Sequence, residues 1–391
     1  MRDEMKLMRD ESLLTPHSSL LTHHILRGYT LKRLLILVLA TLVVCTACRH
    51  EEKKVVLDNS LRLLVKMNGK YGYCDKGGVT VIPPQFDSAA IFSEGLAAVR
   101  VNGKNGFIDT NGKMVIPPTF DKATIFLNGR ASVQKGDKWG YISQSGKSVT
   151  DYDYISTFGF TDGLAAVVLA KGNGAEAGYI DDKGSFAIKP KFDDAAQFSE
   201  GLAAVKVGSK RGYIDKTGKM VIPEQFFQAA MFRDGLAMVK INGKFGMVGF
   251  IDHSGTMVIP AQYNEAISFN DGVAAVKMKG AWQLIDKTGK PIIDREFQSP
   301  TIFTEGLAPV MVKGKVGYMD KKGEMVIKPQ FDAGSIFVNG IAPVRVADKC
   351  GFIDKAGKMV IEARFDWDQY SIDQFTHYYT HFVPDSLGKE K

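Results

Sequence analysis

The residues able to do acid–base, nucleophilic or metal chemistry are few in this chain and poorly placed for it. Of seven histidines in 391 residues, His17, His23, His24 and His50 lie near the N-terminus and His377 and His381 near the C-terminus, which leaves His253 alone in the long middle. A Ser-His-Asp or Cys-His centre needs a histidine within hydrogen-bond reach of both a nucleophile and an orienting group. His253, beside Ser254-Gly255, reads instead as a solvated turn residue. His377 and His381 have the i,i+4 spacing that can ligate zinc on a helix, but a third ligand is missing and Tyr378, Tyr379 and Phe382 flank them, so they read as docking or capping residues. Most glycines stand singly at hairpin turns, without the phosphate-cradling loop before a helix or the aspartate series of an EF-hand. Paired carboxylates between successive units, such as Asp215 with Asp181 or Asp252, would suit a hydrolase. Any array of Asp-initiated turns produces such pairs, however. The expectation is a protein that is not an enzyme, with no catalytic residue, no metal and no cofactor.

The elements that carry these residues recur. Gly72-Tyr73-Cys74-Asp75 returns as Gly106-Phe107-Ile108-Asp109 and seven more times, to Gly351-Phe352-Ile353-Asp354, in steps of 34, 34, 38, 34, 37, 34, 34 and 34 residues. Nine copies at one spacing mean a stacked or radial repeat fold. Within a unit the pattern is that of strands. Around Glu200–Phe232, Leu202 to Val207, Gly212 to Asp215 and Met220 to Ile222 read as three, separated by Gly-containing turns, with Pro223 ending the third. Phe226 to Phe232 reads as a fourth strand or a packed connection.

Asp75, Asp109, Asp215 and Asp354 begin turns in which a carboxylate can accept backbone N–H groups, and Gly78, Gly112, Gly218 and Gly357, three residues on, suit a positive φ. These are read as structural turn residues. A second glycine series, Gly95 to Gly340, precedes the Leu-Ala-Ala-Val strands. The aromatic after each motif glycine, namely Tyr73, Phe107, Tyr141, Tyr179, Tyr213, Phe250, Tyr318 and Phe352, is the candidate ligand contact, because a tyrosine hydroxyl must reach water or a partner. A Phe or Tyr series from Phe86 to Phe365 reads as core.

Units of this form resemble WG repeats, also called KWG repeats, of bacterial proteins. Lys138-Trp139-Gly140 keeps the eponymous triplet, whereas Lys70-Tyr71-Gly72, Lys104-Asn105-Gly106 and Lys349-Cys350-Gly351 vary its middle, and Trp282 is followed by Gln283. The match covers about residues 62–366.

Near the N-terminus, Arg27, Lys32 and Arg33 precede the apolar run Leu34 to Cys45, then Thr46-Ala47-Cys48 and a charged stretch. The run falls short of the ~20 residues a spanning helix needs. It reads as a secretory signal, and its end resembles a bacterial lipoprotein box with Cys48 as the lipidated residue. The small Ala47 before Cys48 favours it over Cys45, which follows Val44. Cys74 and Cys350 lie at opposite ends of the array and are not expected to pair.

Composition excludes other classes. With 45% hydrophobic and 24% charged residues and only 4 Cys, the chain is neither disordered nor disulfide-dense, and a net charge of +7 spread along it gives no stripe for nucleic acid. The sequence therefore divides into a signal segment with lipoprotein box (1–48), a linker (49–61), nine repeats (62–366) and an aromatic C-terminal tail (367–391) that caps the last unit. The expected fold is all-β, nine antiparallel three- or four-strand meanders in an elongated twisted array, because nine blades would exceed the usual four to eight of a propeller. A closed propeller-like ring is the alternative. The expected function is a non-catalytic lipoprotein of the bacterial cell envelope, membrane-held by its lipid, at the outer membrane or surface in a Gram-negative cell, scaffolding a protein or peptide partner. Two alternatives are a glycan-binding module using the Tyr/Phe ladder and an envelope hydrolase with a carboxylate site.

Overall fold

In the computed structural model the chain divides into two units, Met1–Val56 and Leu57–Lys391. The described residues, 61–374 except 242, 244 and 245, all belong to the second. The signal segment, the lipoprotein box with Cys48, almost all of the linker and residues 375–391 with His377 and His381 lie outside them.

The repeats fold into nine small antiparallel sheets, five of four strands and four of three. The first holds β1 (Leu63–Met67), β2 (Lys70–Cys74) and β3 (Thr80–Phe86); the second holds β4 (Ser88–Ala89), β5 (Leu96–Val101), β6 (Lys104–Asp109) and β7 (Met114–Phe120). In the second sheet β4 pairs with β5, β5 with β6 and β6 with β7. The strand read as ending at the proline runs on to Phe120. Phe107 pairs with Ile116 and Asn105 with Phe120, so β7 advances four residues while β6 advances two. Pro117-Pro118-Thr119 form that bulge, a place where a residue without an N–H does no harm to a ladder. The bulge also explains the motif glycine, since a Cβ on Gly106 would lie 2.5 Å from the Ile116 carbonyl oxygen. In the seventh sheet Gln283 occupies this position and the matching strand is reduced to the single bridges Trp282–Phe297 and Ile285–Pro291.

The sheets close into a ring, which overturns the elongated array. A row of nine units has eight interfaces between neighbours, yet nine buried clusters occur, each built from two consecutive sheets or, in the last case, from the first and ninth. That closing cluster joins Leu63, Val65 and Cys74 to Ile341, Cys350, Phe352, Ile361 and Phe365. The same register recurs at residue level. A Cβ on Gly112 would meet Ile82, on Gly146 Ile116 and on Gly357 Ile327, always one sheet back; on Gly78 it would meet Ile361 at 2.9 Å. The structure is thus a nine-bladed propeller, one blade beyond the usual range. The 34-residue unit fits because one strand of each blade is only two residues long or missing.

Among the described residues no strand is exchanged at the seam. The Arg364 guanidinium donates to the Gly78 carbonyl, and Lys66 pairs with Asp368 at 2.9 Å. The Tyr71 hydroxyl donates to the same carboxylate at 3.1 Å. Trp367 and Ile372 pack into the closing cluster, and the Gln374 amide donates to the Ala89 carbonyl in the second blade. Closure also corrects the expectation that Cys74 and Cys350 lie far apart: both are free, buried and in one cluster.

Candidate functional site

The repeated carboxylates serve the backbone. Asp75, Asp109, Asp181, Asp215, Asp252, Asp286, Asp320 and Asp354 each accept, through Oδ1, the N–H groups two and four residues on, at 2.8–3.1 Å. This is the geometry of an Asx-turn extended by one bond. In the third blade Ser143 takes the place of the acid, its hydroxyl meeting Ser145 Oγ at 3.0 Å and donating to the Lys147 carbonyl at 3.2 Å. Thr217, Ser254 and Thr288 add hydroxyl donors to Asp215, Asp252 and Asp286, and these bonds hold the three carboxyls below the ordinary aspartate value of 3.8. The glycine three residues on has φ between 80° and 86° in all nine blades and presses on the isoleucine, or on Val149-Thr150, of the blade before. Gly78, Gly112, Gly218 and Gly357 are therefore both turn and interface residues.

The eight aromatics singled out as ligand contacts lie in the interior. Tyr73, Phe107, Tyr179, Tyr213, Phe250 and Tyr318 are fully buried, Tyr141 is 1% exposed and Phe352 4%. The hydroxyls find partners inside: Tyr73, Tyr141, Tyr179, Tyr213 and Tyr318 donate to the carbonyls of Ala90, Phe158, Ala196, Ala230 and Ser335, each 17 residues on in the next blade. Their rings meet a phenylalanine of that blade edge-on or tilted, as in Tyr213–Phe232 at 5.0 Å and Phe107–Phe126 at 4.9 Å. Burial pushes the tyrosine hydroxyls far above their usual range. A glycan cannot stack on this ladder, because the next blade already does.

A second string of carboxylates escaped the sequence reading. Before each glycine of the second series stands an acid or asparagine, also at positive φ, forming the two-residue hairpin turn that requires two such residues. The carboxylates of Glu94, Asp162, Glu200, Asp234, Asp271 and Glu305 accept the N–H of Gly129, Gly201, Gly235, Gly272, Gly306 and Gly340 in the following blade. Three of them also hold a cationic or imidazole group from that blade: Glu200 with His253 at 3.0 Å, Asp271 with Lys321 at 2.8 Å and Glu305 with Lys355 at 2.9 Å. His253 stacks on Phe232 at 4.3 Å. The signal was present as an Asp, Glu or Asn before every one of those glycines, but the bonds span 35 to 39 residues and no local rule finds them. Among the described residues no group of three or more His, Cys, Asp and Glu is arranged to hold a metal ion.

The model for the WG containing repeat matches nine segments between residues 71 and 367. The chain belongs to the WG-repeat family. Each matched segment of this WG-repeat protein starts on or near the motif glycine and so runs across one blade into the next, which divides the ring differently from its sheets. No curated protein sequence matches the chain. Solved structures similar to it include Hsv2 of Kluyveromyces lactis, at 9% identity over 66% of this chain and 91% of that one with a TM-score of 0.34. Hsv2 of K. marxianus is 8% identical over 70% and 96% with a TM-score of 0.37. A prolyl endopeptidase is 9% identical over 78% and 49% with a TM-score of 0.38. At such values none of them informs the function of the WG-repeat ring.

Proposed function

We propose that this WG-repeat protein is a non-catalytic scaffold that binds a protein or peptide partner, exported and held in the bacterial cell envelope by a lipid on Cys48. One observation carries the non-catalytic part: the repeated acids that an acid/base site would need each accept two backbone N–H groups of their own turn. An oxygen that already accepts two backbone N–H groups of its own turn is a poor acceptor for a substrate proton. The scaffold part is supported by what the ring offers, a closed frame whose hairpins and connections vary between blades. The lipid anchor rests on the short apolar run and on Ala47-Cys48, and it predicts that radiolabelled palmitate enters the wild type but not Cys48→Ser. Equal labelling of both would remove the anchor. Hydrolytic turnover abolished by Asp215→Asn, with the fold kept, would sink the non-catalytic reading. The glycan alternative lost its support when the Tyr/Phe ladder proved to be interior.

A further inference from the structure

The third blade, like the seventh, lacks the strand that pairs with its motif-glycine strand, and its sequence there departs furthest from the repeat. Where β7 reads Met114-Val115-Ile116-Pro117-Pro118-Thr119-Phe120, the third unit reads Ser148-Val149-Thr150-Asp151-Tyr152-Asp153-Tyr154. The matching strand does not form. Only the bridges Ile142–Ser148 and Trp139–Tyr154 hold its two ends, while Thr150 Oγ1 accepts the Tyr141 N–H at 3.0 Å and draws the chain inward between them. Threonine thus replaces the isoleucine that other blades press against the next glycine.

The result is a solvent-open cleft of about 350 Å³ between the third and fourth blades, lined by Ser148, Thr150, Asp151, Asp153, Tyr154 and, from the fourth blade, Phe186. That volume is in the range of clefts that take small ligands or one anchoring side chain. Asp151 and Asp153 are exposed, and neither makes an ion pair among the described residues, unlike the lysine-paired Asp87, Asp121, Asp332 and Asp366. Among the described residues no lysine or arginine lines the cleft, although the chain carries a surplus of both over acids. Tyr154 is buried at one wall, and Phe186 is 42% exposed at the other. The field of the two acids reaches the wall: burial raises the Tyr154 hydroxyl, and Asp153 and Asp151 raise it further. Two unpaired carboxylates beside the exposed Phe186 ring are the complement of a cation with an apolar stem, attracted by charge at its head and by that ring along its length. A neutral sugar would leave the two charges unanswered.

We propose that this cleft receives an arginine or lysine side chain of a protein or peptide partner, with Asp151 and Asp153 taking the charge and Phe186 the stem. The proposal rests on the scaffold reading above and gives it a first contact point. The test is fluorescence anisotropy of a labelled peptide of alternating Gly and Arg, titrated with the full chain in detergent at low salt, beside a Gly-Gln peptide and chitotriose as competitor. The expected result is saturable binding of the Arg peptide alone, weakened about ten-fold or more by Asp151→Asn with Asp153→Asn, as two lost charge-assisted contacts imply. Phe186→Ala should weaken it about three-fold, whereas Glu224→Gln and Asp348→Asn on other blades should leave it unchanged. Circular dichroism of each variant confirms the fold. Binding insensitive to the paired Asp variants, or competition by chitotriose, overturns the proposal. A native partner retained equally by wild type and paired variant would end the cleft proposal while keeping the scaffold. Arg-peptide binding lost in the variant, with no partner retained from envelope extract, would do the reverse.

Discussion

At the scale of single residues, a repeated aspartate can mark a reaction or a bend, and its bonds decide which. Asp215 accepts from Thr217 N–H at 2.9 Å, Lys219 N–H at 3.1 Å and Thr217 Oγ1 at 2.6 Å. Bonds to the ionised form lower a carboxyl's affinity for protons, and here the hydroxyl contributes most. A carboxyl whose folded pKa lies below the unfolded one stabilises the fold above the unfolded value and ceases to do so as pH falls through the folded value. Asp215, Asp252 and Asp286 start from 3.8 and are all lowered. The urea midpoint is therefore expected to hold from pH 7 to about pH 4 and to decline below it, less steeply in Asp215→Asn. A midpoint flat to pH 2.5 would contradict the turn role. These turns were legible in the sequence because their partners lie two and four residues away. The aromatic series was not: alternation placed Tyr213 with Asp215 on one side of its strand, but both faces of each blade are covered by neighbouring blades, so that side is interior too. Asp215 escapes only because it stands where the strand ends.

At the scale of elements, the motif glycine and the strand that crosses it form one device. A Cβ on Gly212 would sit 2.5 Å from the Ile222 carbonyl oxygen and 2.7 Å from the Glu224 nitrogen, both backbone atoms that cannot swing away. Gly212→Ala should detach the strand Met220–Phe226 from Lys210–Ile214. It should cost about 2–4 kcal/mol, in the range of forced backbone displacement in a packed sheet. Equilibrium urea unfolding measures it, and a loss under about 0.5 kcal/mol would mean the bulge accommodates a methyl group. Strand identity was readable from Met-Val-Ile-Pro; the continuation past the proline was not, because a bulge is set by the partner strand.

For the whole molecule, closure is the property that no single unit encodes. Ile361 lies on Gly78 as Ile82 lies on Gly112, so the seam is chemically one more interior interface. Whether a row of such interfaces returns to its start depends on the summed rotation per blade, which repeat length and spacing leave open. A ring without strand exchange should tolerate moved ends. A circular permutant that joins residue 374 to residue 61 through a Gly-Ser linker and opens at Gly172-Asn173, in the hairpin between Ala165–Lys171 and Gly174–Ile180, should fold with a thermal midpoint within about 5 °C of the parent. Failure to fold would argue for an open array.

The seam also carries its own sentinels. Burial pushes the thiols of Cys74 and Cys350 up to about 12, and a thiol that stays protonated hardly reacts. Iodoacetamide should pass over both in the intact protein and alkylate them together once the first and ninth blades part. Mass spectrometry of alkylated Cys74 and Cys350 along a denaturant series would then time the breaking of that one junction against the loss of overall structure, with no probe added to the chain.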